Sequence, residues 1–299
     1  MKPGQSQPVV LSGRVFSARE VEQLQETVGV FSKLSRFELA QTLCEHLGWV
    51  TAKGHYKVDA CLKALRKLEQ LGQIQLPRVQ ACRVRQAKPL GWGEPTDPGQ
   101  PVVGSVEDFE PVELEAVESS PQMKLWNQYL GRYHYLGYQR PFGAHQRYFI
   151  VSRKAEPRRL GCLLFAASAW AVAVRDEWIG WSATVRAQRL NWVVNNSRFL
   201  IFPWVRLANL ASRALALATR RVGLDWQRRY GYRPVLLETF VDPQRYRGTC
   251  YQAANWIRLG ETAGRGRLDR HKRYLSTRKL VYVYPLRPDF RRVLKRRCR

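Results

Sequence analysis

NNSRFLIFPWVRLANLASRALALATRRVGLDWQRRYGYRPVLLETFVD, running from Asn195 to Asp242, carries the plan of the fold. Residues 199–202 form a short apolar run bounded by Pro203, the pattern of a strand. Residues 207–230 are rich in Ala and Leu, favourable helix formers, and are far too long for a strand. Gly231 and Pro234 stop that helix, and residues 235–242 return to a strand pattern. Working upstream, residues 147–151 and 159–169 read as consecutive strands about a turn at 154–158, and residues 175–190 as a helix. Downstream, residues 250–259 read as a helix and 280–284 as a last strand. This succession predicts a mixed α/β, or α+β, layer fold with a mixed sheet.

The N-terminal part has a different texture. Residues 14–76 read as helical: an amphipathic stretch after Phe16-Ser17, then a helix opened by the capping box Ser35-Arg36-Phe37-Glu38 and stopped near Gly48. A third helix spans about 57–71. Its Cys61, Leu62, Leu65, Leu68 and Leu71 fall on one face, and Lys63, Arg66 and Lys67 largely on the other. Gly72 ends it, and Gln73-Ile74-Gln75-Leu76 alternates like a short strand. Three helices and a strand predict a winged-helix-like DNA-binding module over 1–87, its last helix suited to the major groove. The alternative is a three-helix bundle with a solvated basic face. Residues 88–121, rich in Pro, Gly and acid, read as a mobile linker, and 122–299 as a basic α/β domain with a basic tail.

Charge narrows the function. The 299 residues hold 50 Lys and Arg against 24 Asp and Glu, a formal net charge of +26. By segment, 1–90 carry +7, 91–121 carry −8 and 122–299 carry +27. Such self-repulsion calls for a polyanionic partner, and DNA, single- or double-stranded, is the partner expected. The acidic segment could fold back on a basic surface when DNA is absent. Six scattered cysteines offer neither zinc spacing nor a disulfide framework, which points to a reducing cytoplasm. The N-terminus lacks the apolar core of a signal peptide. The longest apolar stretch, 160–174, is about five residues short of a membrane span and reads as core, so no membrane association is expected.

Five stretches are distinctive in combination: RYHYLGY at 132–138, RDEWIGW at 175–181, NNSRFLIFPWVRLANLAS at 195–212, YGYRPVLLETFVD at 230–242 and GTCYQAANWIRLGETAGRGR at 248–267. Together they resemble the DruA domain over roughly residues 122–290, and the N-terminal helices are similar to the segment that precedes that domain in family members. The resemblance implies a component of the Druantia anti-phage defence system or a protein carried with insertion sequences, with a helicase or a transposase as partner. Some relatives are fused to DDE transposases; none is expected after the last strand here.

The order of elements also resembles that of a GNAT acyltransferase: two strands, a splayed strand, a long helix, a strand, a helix and a strand. In acetyl-CoA-dependent members the long helix starts with an Arg/Gln-x-x-Gly-x-Gly/Ala turn that cradles the pyrophosphate. Here Arg206-Leu207-Ala208-Asn209-Leu210-Ala211 keeps the Arg and the last Ala but has Asn at the central Gly and bulky Leu residues. That departure argues against acetyl-CoA as a cofactor and against acyl transfer.

Two groups of residues could carry chemistry. Glu238 and Asp242 share a strand face, about 13 Å apart at about 3.3 Å per residue, and Asp176 could approach either. Clustered carboxylates holding Mg²⁺ or Mn²⁺ would support DNA strand cleavage or transfer. Alternatively they neutralise neighbouring arginines such as Arg198 or Arg245. The second group, Tyr133, His134, Tyr135 and Tyr138, could supply a tyrosine nucleophile with a histidine helper. The paired histidine motif that usually accompanies such a nucleophile is absent, so packing or base stacking fits this group better. For DNA contact the candidates are Lys63, Arg66 and Lys67 on the third helix and Arg258, Arg265, Arg267, Arg270, Lys272 and Arg273, with Trp256 and Tyr251 as stacking residues. The sequence thus predicts a DNA-binding protein of a defence or mobile-element system, cutting DNA with a metal or acting as a non-catalytic adaptor.

Overall fold

The computed structural model describes residues 9–31, 34–51, 55–77, 94–141, 143–154, 156–264 and 277–296. A hairpin of β1 (Val9–Leu11) and β2 (Arg14–Phe16) leads into α1 (Ala18–Val30). Ser17 and Glu20 close a capping box at its start, and Val21, Leu24 and Val28 are buried. The box expected at Ser35 and Glu38 opens α2 (Arg36–His46), and α3 (Val58–Gln70) buries Cys61, Ala64, Leu65 and Leu68. Among the described residues, 73–77 pair with no strand, and a hairpin precedes the helices of this module; residues 78–87 of the expected module lie outside the described residues. The three helices of the reading are present.

Residues 94–121, expected as a mobile linker, are largely built into the fold. β3 (Val102–Ser105) lies parallel to β8 (Val205–Ala208) as a two-stranded sheet. β4 (Val112–Ala116) is the edge strand of the main sheet, with Val112 and Leu114 buried. Alternation over only five residues, with acids at the outward positions, hid the strand in a charged, Pro-rich context.

The main sheet continues with β5 (His145–Ser152), β6 (Arg158–Ala167), β7 (Val193–Ile201), β9 (Leu236–Val241), β10 (Ile257–Glu261) and β11 (Leu280–Pro285). Its order is β10-β11-β9-β7-β6-β5-β4. All neighbours are antiparallel except β7 and β9, which are parallel and joined by the long helix α7 (Leu210–Tyr230). Gly231 ends that helix in the left-handed region at φ +86°, where a glycine carries no Cβ penalty. β7 and β9 pair only from Val193–Leu236 to Asn195–Glu238 and then part. This is the splayed strand and long helix expected from the order of elements.

Successive β5 side chains show the layers. The Tyr148 hydroxyl donates to Asp225 on α7 (2.9 Å), whereas the Phe149 ring meets Tyr129 on α4 (Ser120–Tyr133) at 6.3 Å. Helices therefore cover both faces. Residues 175–190, expected as one helix, are α5 (Ala173–Ile179) and α6 (Ala183–Arg189), broken at Gly180 in the left-handed region. The helix expected over 250–259 is only α8 (Thr249–Ala253), and its second half is β10. α9 (Phe290–Lys295) closes a second small core of Ile179, Trp181, Val185 and Leu294. The N-terminal helices pack onto the sheet domain: Phe31 meets Tyr232 at 4.7 Å and His46 meets Trp170 at 5.7 Å. Among the described residues no helix is long and apolar enough to cross a membrane.

Candidate functional site

Strand alternation places Glu238 on β9 facing inward, fully buried. Its Oε1 accepts the Ala169 backbone N–H at 2.8 Å, and its Oε2 accepts from Arg175 Nη1 at 2.8 Å. Arg175 on α5 is also fully buried and donates through Nε (2.9 Å) and Nη2 (2.7 Å) to Asp176 Oδ1. Asp176 in turn accepts from the Trp181 indole at 3.0 Å and from Arg186 Nη1 at 2.9 Å. Burial opposes the Arg175 charge, but Glu238 and Asp176 outweigh it and hold the guanidinium above its ordinary pKa. Two of the three expected carboxylates, Glu238 and Asp176, converge, but around a guanidinium.

That donor set does not fit Mg²⁺ or Mn²⁺. The place a divalent ion would take between Glu238 and Asp176 is filled by Arg175, and the two carboxylates already accept two and five hydrogen bonds from fixed groups. Among the described residues no group of three metal-ligating side chains occurs. Asp242 stands apart from the cluster. Its Oδ1 accepts the Gln244 N–H at 3.1 Å, its carbonyl accepts from Tyr246 N–H at 2.9 Å, and Arg245 lies 3.9 Å from its carboxylate. Arg245 is thus beside Asp242 as the charge-pairing alternative had it, while the partner of Glu238 is Arg175, which the carboxylate pattern did not single out.

The aromatic run after α4 divides. The Tyr133 hydroxyl donates to the Thr96 carbonyl at 2.7 Å, which makes it a packing residue. His134 Nδ1 accepts the Leu136 N–H at 3.1 Å, and burial, reinforced by Arg198, lowers its pKa to about 4. It is a neutral imidazole carrying its proton on Nε2. Its ring stacks on Tyr135 at 4.8 Å. Burial, with Asp242 and Tyr246 adding to it, raises the Tyr135 phenol above its usual pKa, the wrong direction for a nucleophile. Tyr135 meets Tyr246 at 5.8 Å, and the Arg245 guanidinium lies 5.0 Å over its ring. Tyr135 and Tyr246 are 38% and 54% exposed. This mouth lies where β7 and β9 have parted.

Deeper in the same gap sits Tyr251, 6% exposed. Its hydroxyl donates to Asn196 Oδ1 at 2.7 Å and accepts from Thr239 Oγ1 at 3.4 Å. Trp256, 3% exposed, packs edge-on against it at 5.2 Å. Neither reaches the surface, so both expected stacking residues are core residues. The gap between the parted strands is therefore filled by the chain's own side chains. The 206–211 run is likewise engaged, with Arg206 to Ala208 in β8 bonded to β3.

Lys63, Arg66 and Lys67 are exposed on α3, and Arg258 is exposed on the edge strand β10. None of the four is in an ion pair among the described residues. Arg265, Arg267, Arg270, Lys272 and Arg273 lie outside the described residues. The structure adds a basic helix face. On α9, Arg291 stacks over Trp178 at 4.4 Å, and Lys295 is exposed, as is Arg296 just beyond the helix. Charge alone had marked that segment, but the Trp178 platform belongs to α5, more than a hundred residues earlier. The acidic segment is tied down elsewhere: Asp97 pairs with Arg132, Glu110 with Arg213, and Glu113 and Glu115 both with Arg153.

Similar solved structures include a spermidine N-acetyltransferase from Vibrio cholerae in complex with CoA and spermine. It is 8% identical, with 58% of this chain and 95% of that chain covered and a TM-score of 0.37. Another is the CoA-dependent acyl-homoserine lactone synthase MesI, 10% identical, covering 61% of this chain and 92% of that one at a TM-score of 0.32. No curated protein matches the chain. The family model of Druantia protein DruA matches residues 67–278, from within α3 through the acidic segment to just short of β11. With well over half of its length matched, the chain belongs to the DruA family.

Proposed function

We propose that this protein is a DNA-holding component of an anti-phage defence or mobile-element system, presenting DNA to a partner such as a helicase or transposase. The observation that carries the reading is the row Lys63, Arg66 and Lys67: three exposed cations at i, i+3 and i+4 on one helix face, none paired with an acid among the described residues. With a net charge of +26, such a face is suited to a phosphate backbone. The family's name supplies the defence context. The carboxylates considered for metal-dependent cleavage are held by arginines, which favours holding DNA over cutting it.

The test is a salt titration of duplex binding by wild type and the triple variant Lys63→Glu/Arg66→Glu/Lys67→Glu. Wild-type affinity should fall linearly on a logarithmic salt scale. The variant should bind more weakly, with a slope shallower by roughly 0.9 for each phosphate it no longer neutralises. Salt-independent binding, or none, would sink the reading. Nicking of supercoiled plasmid that requires Mg²⁺ or Mn²⁺ would restore cleavage.

A further inference from the structure

The mouth between the parted strands has features that simple phosphate binding leaves unused. Three positions supply it: the 134–136 turn after α4, Arg198 on β7, and the turn that follows β9. Asp242 shapes that last turn through its carboxylate bond to Gln244 N–H and its carbonyl bonds to the Arg245 and Tyr246 N–H groups. Those bonds project Tyr246 outward, 54% exposed, with Tyr135 as its one ring contact among the described residues, tilted at 55°. Tyr135 is backed in turn by His134 (4.8 Å) and capped by Arg245 (5.0 Å). A large face of the Tyr246 ring is left open beside a ring stack that is already braced.

The charge around it is positive. Arg198 and Arg245 both act on Tyr135, and the one carboxylate that does so, Asp242, has its Oδ1 engaged by the turn and its Oδ2 3.9 Å from Arg245. Arg245 and Arg247 are exposed and flank Tyr246 in sequence. Beneath the mouth, Tyr251 and Asn196 close the gap, so what binds must lie on the rim. An exposed aromatic ring with an exposed arginine on either side of it in the sequence suits a planar, uncharged ring joined to phosphates. Bases stacked inside a duplex do not present that face, whereas those of a single strand do.

We infer that Tyr246, braced by Tyr135 and flanked by Arg245 and Arg247, is a seat for one unpaired base of single-stranded DNA. The base stacks on the Tyr246 ring, and its flanking phosphates meet the two guanidinium groups. His134 and Asp242 are positioning residues, the first bracing Tyr135 and the second fixing the turn. This rests on the DNA-binding reading and adds to it a preference for single strands.

The experiment measures fluorescence anisotropy of a labelled single-stranded oligonucleotide and of its duplex at one salt concentration. It compares wild type with Tyr246→Ala and Tyr246→Phe, and thermal melting confirms that each variant is folded. Loss of one stacked base should weaken single-strand binding by Tyr246→Ala roughly 5- to 100-fold, with Tyr246→Phe close to wild type. Duplex binding should stay within twofold for both. A single-strand affinity unchanged in Tyr246→Ala, or an equal loss for single strand and duplex, overturns the seat and leaves the DNA-binding reading standing. If wild type binds neither, the DNA-binding reading itself fails.

Discussion

Arg175 has no exposed surface and carries a full charge, which is tolerable only because Glu238 and Asp176 lie on either side of it. Removing Arg175 leaves Glu238 as an uncompensated buried charge, while Asp176 keeps Arg186. Arg175→Met alone should therefore destabilise the protein by about 3–5 kcal/mol. Arg175→Met combined with Glu238→Gln should recover much of that loss, because Gln keeps an acceptor for the Ala169 N–H and removes the orphaned charge. Urea denaturation of the two variants beside wild type checks this; a double variant no better than the single one would refute the coupling. Sequence reading found Glu238 and Asp176 but not the guanidinium that joins them. Arg175 is one of 31 arginines in 122–299, and nothing in spacing alone separates the buried one from those in solvent. Tyr251 and Trp256 failed in the opposite sense: beside exposed arginines they resemble a binding face, yet the splayed strands need large side chains to fill the gap between them.

Helices and the central strands were legible because their signals are local: an amphipathic stretch after Ser17, the capping box at Ser35, a helix-stopping glycine at 231, and long apolar runs for strands buried on both faces. β4 was not, since an edge strand of five residues with acids outward looks like charged coil. Its acids have a structural use. Glu113 and Glu115 both reach Arg153 just past the end of β5, and Glu110 reaches Arg213 on α7, so the acidic segment neutralises the arginines of its own edge. Hydrogen exchange separates a paired strand from a tether. Peptides spanning residues 112–117 should exchange slowly, alongside those of β5, because β4 is bonded to β5 from Val112–Ser152 to Ala116–Tyr148. Complete exchange of that segment within seconds would mean that it is a linker after all.

At the scale of the whole molecule, composition announced a large positive charge, but the seam between the N-terminal helices and the sheet domain left no trace in the sequence, because contacts between distant segments have no periodicity. That seam and its surroundings hold histidines kept neutral. Burial lowers His46 to about 4 against a weaker opposing hydrogen bond with Asn191, and it stacks near Trp170 across the seam. Burial, then Arg147, with Arg229 and Arg140 adding, lowers His145 to about 3, although Glu38 of α2 lies 3.9 Å from its ring and Gly143 accepts from it. His134 is lowered to about 4. Each folded value lies below the ordinary 6.5, so between these limits the unfolded chain binds more protons than the folded one. Stability is then complete above pH 6.5 and falls as the pH drops towards 4 and 3, by at most about 1.4 kcal/mol per pH unit for each histidine. The urea midpoint should decrease from pH 7 to pH 5 with little change in m-value, and His46→Gln should flatten that decrease by removing one of the protons taken up on unfolding. A midpoint that stays level or rises over this range would show that the three imidazoles are not held neutral, and with that the close packing of α2 against the sheet domain would be in error.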